Sequence, residues 1–383
     1  MRICLVYDCL FPHTVGGAER WYRRLAERLA ASGHEVTYLT LRQWERGEDP
    51  GVAGVDVRVV GPRMSLYDGP GHRRIGPPIV FGAGVLWHLL RHGRHYDVVH
   101  TCAFPYFSLL AAALVRPLRG YRLIVDWFEV WSREYWREYL GARAGNVGWL
   151  VQRLGVRVPQ RAFCFSRLYA RRLREEGLNG EITMLAGAYD GSLQPREPTP
   201  AEPLVVFAGR HIPEKGVLTI PPAIAAARRS VADLRCEIFG DGPERERLRR
   251  EVERLGLRDV VDVPGFVATE RVDEAIGRAM CLLLPSRREG YGLVVVEAAA
   301  HGTPSIVVAG LDNAAIELIE EGVNGFVAAS TSPDDLSAAI AAVARGGQGL
   351  RSATRAWFAE HADDVSLDRS LDVALGVYAA ARR

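Results

Sequence analysis

The chain has 383 residues, a formal net charge of +2, and 48% hydrophobic and 25% charged residues. That length suits two domains of ordinary size and that composition a globular fold, while a charge so near neutral gives no electrostatic argument for nucleic acid. No apolar run approaches the roughly 20 residues that span a bilayer. Met1-Arg2 leads straight into a strand-like run, so no leader peptide is expected and a cytoplasmic location is. The six cysteines (4, 9, 102, 164, 236 and 281) fall mostly in or beside apolar runs and form no C-x-x-C pair, which predicts reduced core thiols.

Arg2 to Tyr7 is a continuous apolar run ending at Asp8, the pattern of a buried parallel strand. Gly16-Gly17 and a helix from Ala18 to Ala31 follow, with Trp21, Leu25 and Leu29 at helical spacing. Strands are predicted at 35–41 and 55–60, then a long Gly-, Pro- and Arg-rich loop over 61–78. Helices at 78–92 and 104–115 alternate with strands at 97–100, 122–126 and 162–165, and 133–154 reads as helical in part. Ala188 to Pro203 holds Pro195, Pro198, Pro200 and Pro203 without apolar periodicity, the mark of a linker. A second series then begins, with strands at 204–208, 234–239, 260–263, 281–284, 305–308 and 325–327 and helices at 217–229 and 244–255. Such alternation predicts an α/β chain of two doubly wound Rossmann-like domains, 1–190 and 204–364, joined by 191–203 and facing a central cleft at the C-terminal edges of their sheets.

The densest chemistry follows the strand at 281–284. Gly290 and Gly292 remove side chains where a ligand would approach the backbone, and the N–H groups of Tyr291, Gly292 and Leu293 stand at the start of a short helix that Gly302 and Pro304 end. Glu289 precedes this turn and Glu297 lies about two turns into the helix. Amides flanked by two carboxylates suit a ligand with both phosphate and sugar hydroxyls; a surface turn with two solvated acids is the plainer reading. Arg210 and Lys215 follow the strand at 204–208, and Lys215 is the single lysine among 48 Lys and Arg residues. One fork and one point charge could hold a diphosphate. Asp-x-Asp occurs nowhere, so the usual carboxylate pair for a phosphate-bound divalent ion is missing and no metal is expected.

The spacing Glu289-x7-Glu297 resembles the E-x7-E motif of retaining glycosyltransferases of the GT-B fold, in particular the GT4-like family. Gly16-Gly17-Ala18-Glu19-Arg20 is similar to that family's acceptor-domain glycine loop, and Gly209-Arg210 with Glu214-Lys215-Gly216 to its phosphate clamp. Phe239-Gly240-Asp241-Gly242-Pro243 and Val263-Pro264-Gly265-Phe266-Val267 sit at its usual spacings. The resemblance covers nearly the whole chain. It implies a donor-binding second domain, an acceptor-binding first domain, and a last helix, 365–383, that returns to the first. It also implies a metal-independent transfer of sugar from a nucleoside diphosphate sugar, with no cofactor and with the leaving phosphate taking the acceptor's proton. Glu297 would hold the ribose and Glu289 the sugar hydroxyls; Arg210 and Lys215 would neutralise the diphosphate; Gly16, Gly17, Phe266 and Val267 would line the donor. Where the family often has His-x-His, this chain has His100-Thr101-Cys102, so no catalytic histidine is carried over.

His100 at a strand end is a candidate for the acceptor site or a core histidine; Asp126 and Glu129, after another strand end, are candidates for acceptor hydroxyls. His88, His92 and His95 have helical spacing, but Arg91 and Arg94 interleave with them, and a metal is not expected there. Gly82-x-Gly84 lacks the third glycine of a dinucleotide fingerprint. Four of the eight tryptophans lie between 127 and 149 among Arg133, Arg137, Arg143 and Arg153. They are either core aromatics or a basic, aromatic surface for a hydrophobic acceptor or the inner membrane face. The expected partners are thus a nucleotide sugar and a hydroxyl acceptor (a glycan, a lipid-linked molecule or a small molecule), without nucleic acid. An epimerase of nucleotide sugars and a non-catalytic nucleotide-sugar binding module are the alternatives on this fold.

Overall fold

The computed structural model describes residues 1–380 except 15, 46, 49, 67–73, 195 and 197–199. The described residues form two units, one of residues 1–188 and 367–380 and one of residues 189–366. Pro195, Pro198 and the middle of the expected 61–78 loop lie outside the described residues.

The first unit runs β1 (Arg2–Val6), α1 (Gly17–Ala31), β2 (Glu35–Leu41), β3 (Val55–Gly61), α2 (Gly76–His92), β4 (Val98–Cys102), α3 (Phe107–Arg119), β5 (Arg122–Asp126), α4 (Arg133–Leu140), α5 (Ala142–Arg157), β6 (Gln160–Cys164), α6 (Arg167–Glu175) and β7 (Gly180–Met184). The strands make one parallel sheet in the order β3-β2-β1-β4-β5-β6-β7. Central strands such as β1 and β4 are buried almost throughout, which is why they read as unbroken apolar runs. β7 is half-exposed at the sheet edge and polar, so no apolar run announced it. Gly82 and Gly84 serve packing: a Cβ on Gly84 would lie 1.9 Å from the Val60 carbonyl oxygen, and one on Gly82 2.6 Å from Phe107 Cβ.

The second unit runs β8 (Leu204–Ala208), α7 (Ile220–Ala227), β9 (Arg235–Phe239), α8 (Arg245–Arg254), β10 (Val261–Gly265), α9 (Thr269–Arg278), β11 (Cys281–Leu284), β12 (Arg288–Glu289), α10 (Leu293–Ala300), β13 (Ser305–Val308), β14 (Asp312–Asn313), β15 (Gly325–Ala328) and α11 (Pro333–His361). Its main sheet is parallel in the order β10-β9-β8-β11-β13-β15, and β12 pairs with β14 apart from it. This is the doubly wound order, in which the chain reverses direction between β8 and β11; ligands of such sheets bind outside the strand ends at that reversal. The helix expected from Val217 is a 3-10 turn over Val217–Thr219 before α7.

The chain leaves the first unit at Ala188. Tyr189 is 7% exposed, packs edge-on against Phe358 with ring centroids 5.5 Å apart, and pairs with Ser366, so it belongs to the second unit's core rather than to a linker beginning at 191. Val365 is buried in that same core, and the returning helix α12 starts two residues later, at Leu367–Ala380. It packs on the first unit, where Arg28 of α1 lies 3.2 Å from Asp368.

Candidate functional site

Three strand-end loops of the second unit close on one another. A Cβ on Gly240 would lie 1.9 Å from the Gly209 carbonyl oxygen, and one on Gly242 2.5 Å from that of His211, so the loop after β9 backs directly on the loop after β8. The His211 amide donates to the Asp241 carbonyl at 2.8 Å, and the Glu244 amide to the His211 carbonyl at 3.0 Å. From the other side, the Arg287 amide donates to the Glu214 carbonyl at 2.9 Å. Gly216 has φ +65 and lies too close to the Pro285 carbonyl for any side chain, at 2.5 Å from an added Cβ. Arg245 reaches from α8 to the Asp241 carboxylate at 3.3 Å and the Pro264 carbonyl at 3.0 Å, which ties in the loop carrying Phe266 and Val267. Phe266 itself is 71% exposed, and Val267 is half-buried.

Within this frame Lys215 Nζ lies 2.5 Å from Glu289 Oε1, with side-chain exposures of 19% and 9%. The expectation gave these residues separate partners; the fold brings them together across 74 positions of sequence. Glu289 is therefore not a solvated surface acid. At so little exposure a charge is costly unless paired, and Lys215 is the partner. Arg210 is exposed just past the end of β8.

Glu289 is held by contacts no sequence pattern announced. It pairs with Asn313 in the β12–β14 ladder, and Asn313, fully buried, donates through Nδ2 to the Ser286 carbonyl at 3.1 Å and to the Val308 carbonyl at 2.8 Å. An Asn five residues past a buried strand is too common to signal this. His211, also fully buried, has its pKa lowered by burial, so the ring is neutral at pH 7.

Gly292 caps α10 with φ +100, and an added Cβ would stand 2.7 Å from Ala315 Cβ. Both the dihedral and the space demand glycine. Gly290, Tyr291 and Leu293 are half-buried. Along α10, Glu297 is the one charged residue among Leu293–Ala300 and stays half-exposed while Val295, Val296 and Ala298 to Ala300 are buried.

In the first unit, Gly16 is extended ahead of α1, and an added Cβ would lie 2.4 Å from a Glu19 carboxylate oxygen; a Cβ on Gly17 would meet nothing within 4 Å. The predicted acceptor-side residues fare differently. His100 and Asp126 are both 0% exposed, with His100 Nε2 2.9 Å from Asp126 Oδ1. Tyr378 Oη lies 2.5 Å from His100 Nδ1, and Trp21 Nε1 donates to Asp126 Oδ2 at 2.8 Å. This network ties β4 and β5 to α1 and α12 and leaves neither group able to touch an acceptor, so the expectation that His100 and Asp126 bind acceptor hydroxyls is corrected: helices on one side of the sheet cover both. Glu129 stays half-exposed and accepts from Trp131 Nε1 at 2.7 Å. Trp127, Trp131 and Trp136 are at most 9% exposed, so the aromatic stretch is core there; only Trp149 is half-exposed, between Arg133 and Arg153. Among the described residues no group of three His, Cys, Asp or Glu could hold a metal ion, and no helix is long and apolar enough to cross a membrane.

Comparison with known proteins puts these loops in context. Residues 16–187 match the family model described as glycosyl transferase 4-like domain, and residues 193–357 that described as glycosyl transferases group 1. The chain is 37% identical over 125 residues to the alpha-D-kanosaminyltransferase of Streptomyces kanamyceticus, covering 33% of this chain and 32% of that one. It is 33% identical over 170 residues to the GDP-mannose-dependent alpha-(1-6)-phosphatidylinositol monomannoside mannosyltransferase of Mycobacterium tuberculosis, covering 40% and 44%. These matches span 32% and 44% of the relatives' own length. The MMP alpha-(1->4)-mannosyltransferase of Mycolicibacterium hassiacum aligns over 90% of this chain and 89% of its own at 26% identity. Among solved structures, sucrose-phosphate synthase from Thermosynechococcus elongatus superposes with a TM-score of 0.76 at 19% identity, covering 100% of this chain and 98% of that one. HepE of Anabaena in complex with UDP superposes with 0.74 at 18%, covering 99% and 100%. Identities this low establish a shared fold.

Proposed function

The chain belongs to the GT4-like family of glycosyltransferases and has the GT-B fold, and on that premise we propose that it moves a sugar from a nucleoside diphosphate sugar to a hydroxyl acceptor with retention of anomeric configuration. The observation that carries the reading is the Lys215–Glu289 pair, 2.5 Å apart where the second unit's strand order reverses. A cation and a carboxylate held that close, beside a helix start that only glycine can make, suit a ligand that is anionic at one end and hydroxylated at the other. The UDP bound by HepE supports this class of donor.

In the proposed step the bond from sugar C1 to the β-phosphate oxygen breaks, and a bond from C1 to the acceptor oxygen forms on the same face. The acceptor's proton passes to the departing phosphate oxygen. Lys215 and Arg210 neutralise the diphosphate as negative charge grows on it, and the α10 amides at Tyr291, Gly292 and Leu293 add to that. Glu289, released from Lys215 by the incoming phosphate, accepts from the sugar hydroxyls and stabilises positive charge at C1. Glu297 accepts from the ribose. Glu129 is the remaining candidate for contact with the acceptor. The absence of Asp-x-Asp leaves these cations to do what a divalent ion does elsewhere.

The test is incubation with a panel of nucleotide sugars, with and without lysate as acceptor source. Acceptor-dependent release of nucleoside diphosphate, and a proton spectrum of the product showing the donor's anomeric configuration, support the reading. An acceptor-independent change of the sugar alone would instead make the protein an epimerase.

A further inference from the structure

The helices that carry the first unit's chain from β3 to β4, β4 to β5 and β5 to β6 all step the same way along the sheet. Right-handed crossovers therefore set α2, α3 and α5 on one face, opposite α1 and α12. They lie side by side: Gly82 of α2 abuts Phe107 of α3, and Gly155 of α5 abuts Leu109 of α3. Their inward faces build the core. Their outward faces do not look like surface. On α3, Leu114 and Leu118 are 69% and 64% exposed, with Pro117 exposed between them. On α5, Val147, Leu150 and Leu154 are 62%, 52% and 51% exposed, one row at helical spacing. On α2, Ile79 and Trp87 are 48% and 60% exposed. Of the twelve exposed large hydrophobics among the described residues, eight sit on these helices or at the N-cap of α2; the others are scattered singly.

Charge decides what such a face fits. None of the segments Gly76–His92, Phe107–Arg119 and Ala142–Arg157 contains an acidic residue. The α5 row is bracketed by exposed Arg143 and Arg157, and Arg91 stacks 3.2 Å over the Trp87 ring. Arg116 and Arg119 stand in the last turn of α3. Neighbouring α4 shows the contrast: its exposed residues are Arg133, Glu134, Arg137 and Glu138, the balanced charges of a solvated helix. A second copy of the chain docking here through a twofold axis would bring arginines against arginines with no carboxylate on these three helices to pair them.

We propose that the outward face of α2, α3 and α5 docks on an anionic phospholipid surface, the apolar rows entering the headgroup region and the flanking arginines meeting lipid phosphates. The surface does not depend on the donor chemistry, and its test does not read activity. The full chain is sedimented with vesicles of phosphatidylcholine containing about one-third phosphatidylglycerol, and with pure phosphatidylcholine, at low and high salt. We expect binding to the anionic vesicles that salt weakens, because exposed charges are screened. A Leu150→Ser, Leu154→Ser variant should bind roughly tenfold more weakly or worse, and so should an Arg143→Gln, Arg157→Gln variant, each with circular dichroism and thermal unfolding unchanged. Failure of the native chain to bind anionic vesicles at low salt, or native-like binding by both folded variants, overturns the proposal. So does a concentration-dependent dimer in light scattering that the leucine variant abolishes, since a second copy would then cover the face.

Discussion

The junctions after β1 and after β11 each take a buried central strand into a glycine loop and a helix, and the two are built to opposite plans. After β1, Gly17 is exposed with nothing within 4 Å of an added Cβ, and the Glu19 side chain of the same helix lies over Gly16. After β11, Gly292 is buried at φ +100 against Ala315, and the preceding acid, Glu289, is 7% exposed and joined to Lys215 from another loop. The first junction is closed by its own next turn and keeps room above it. The second is over-determined by residues from β14, the turn after it, and the β8 loop. Similar glycine motifs thus give an adaptable edge in one unit and a rigid one in the other, because rigidity comes from what packs on the loop and not from the glycines.

The largest expected break falls on the second junction. Lys215→Ala removes the proposed phosphate contact and leaves the Glu289 carboxylate nearly buried without its ammonium; nucleoside diphosphate should bind about 10- to 100-fold more weakly, roughly 1.5–3 kcal/mol. Calorimetry giving native affinity would dismiss the clamp. The reciprocal change sharpens the roles. Glu289→Gln releases Lys215, so nucleoside diphosphate affinity should hold or rise while kcat falls at least about tenfold, some 1.4 kcal/mol of barrier. Steady-state kinetics with product binding separates the two, and a parallel loss of affinity would mean that Glu289 serves the phosphates.

Backbone demands come next. Gly292→Ala forces a Cβ into a positive-φ site with 2.7 Å to Ala315 Cβ and should destabilise the protein by about 2 kcal/mol, whereas Gly17→Ala should change stability by less than about 0.5 kcal/mol. Urea unfolding of the two variants checks the contrast; equal costs would erase it.

A pH handle reads the first unit by itself. Burial first, then the charges of His92 and Arg58, lower the His88 pKa to about 4. An unfolded histidine protonates near its ordinary value of about 6.5. Between those values the unfolded chain binds the proton that the folded one refuses, so stability is lost as pH falls from about 6.5 towards 4. The loss from His88 between about pH 7 and 5 amounts to about 2 kcal/mol. His88→Gln should remove that share of the acid slope; an unchanged slope would mean that His88 does not titrate as its burial implies. The smallest effect belongs to EDTA, which should leave transfer intact; loss restored by magnesium or manganese would overturn the metal-free step.

The sequence by itself determined the strands whose neighbours cover both faces. Arg122–Asp126, Leu204–Ala208, Cys281–Leu284 and Ser305–Val308 lie where the apolar runs put them, because a strand buried on two sides must be apolar throughout. It also determined the strand–loop–helix carrying Glu289 and Glu297, since Gly292 and Gly302 punctuate it by their positive φ. Only the tertiary structure decided the rest. Tyr378, 278 residues from His100, converts a candidate site histidine into a buried strut. Lys215 and Glu289 become partners because two loops on adjacent strands fold together. The apolar outward rows of α2, α3 and α5 were hidden for a related reason. α2 is apolar on nearly every side and has no strong periodic signal to say which face the core takes, and for all three helices only their packing on the sheet shows which apolar rows stay uncovered.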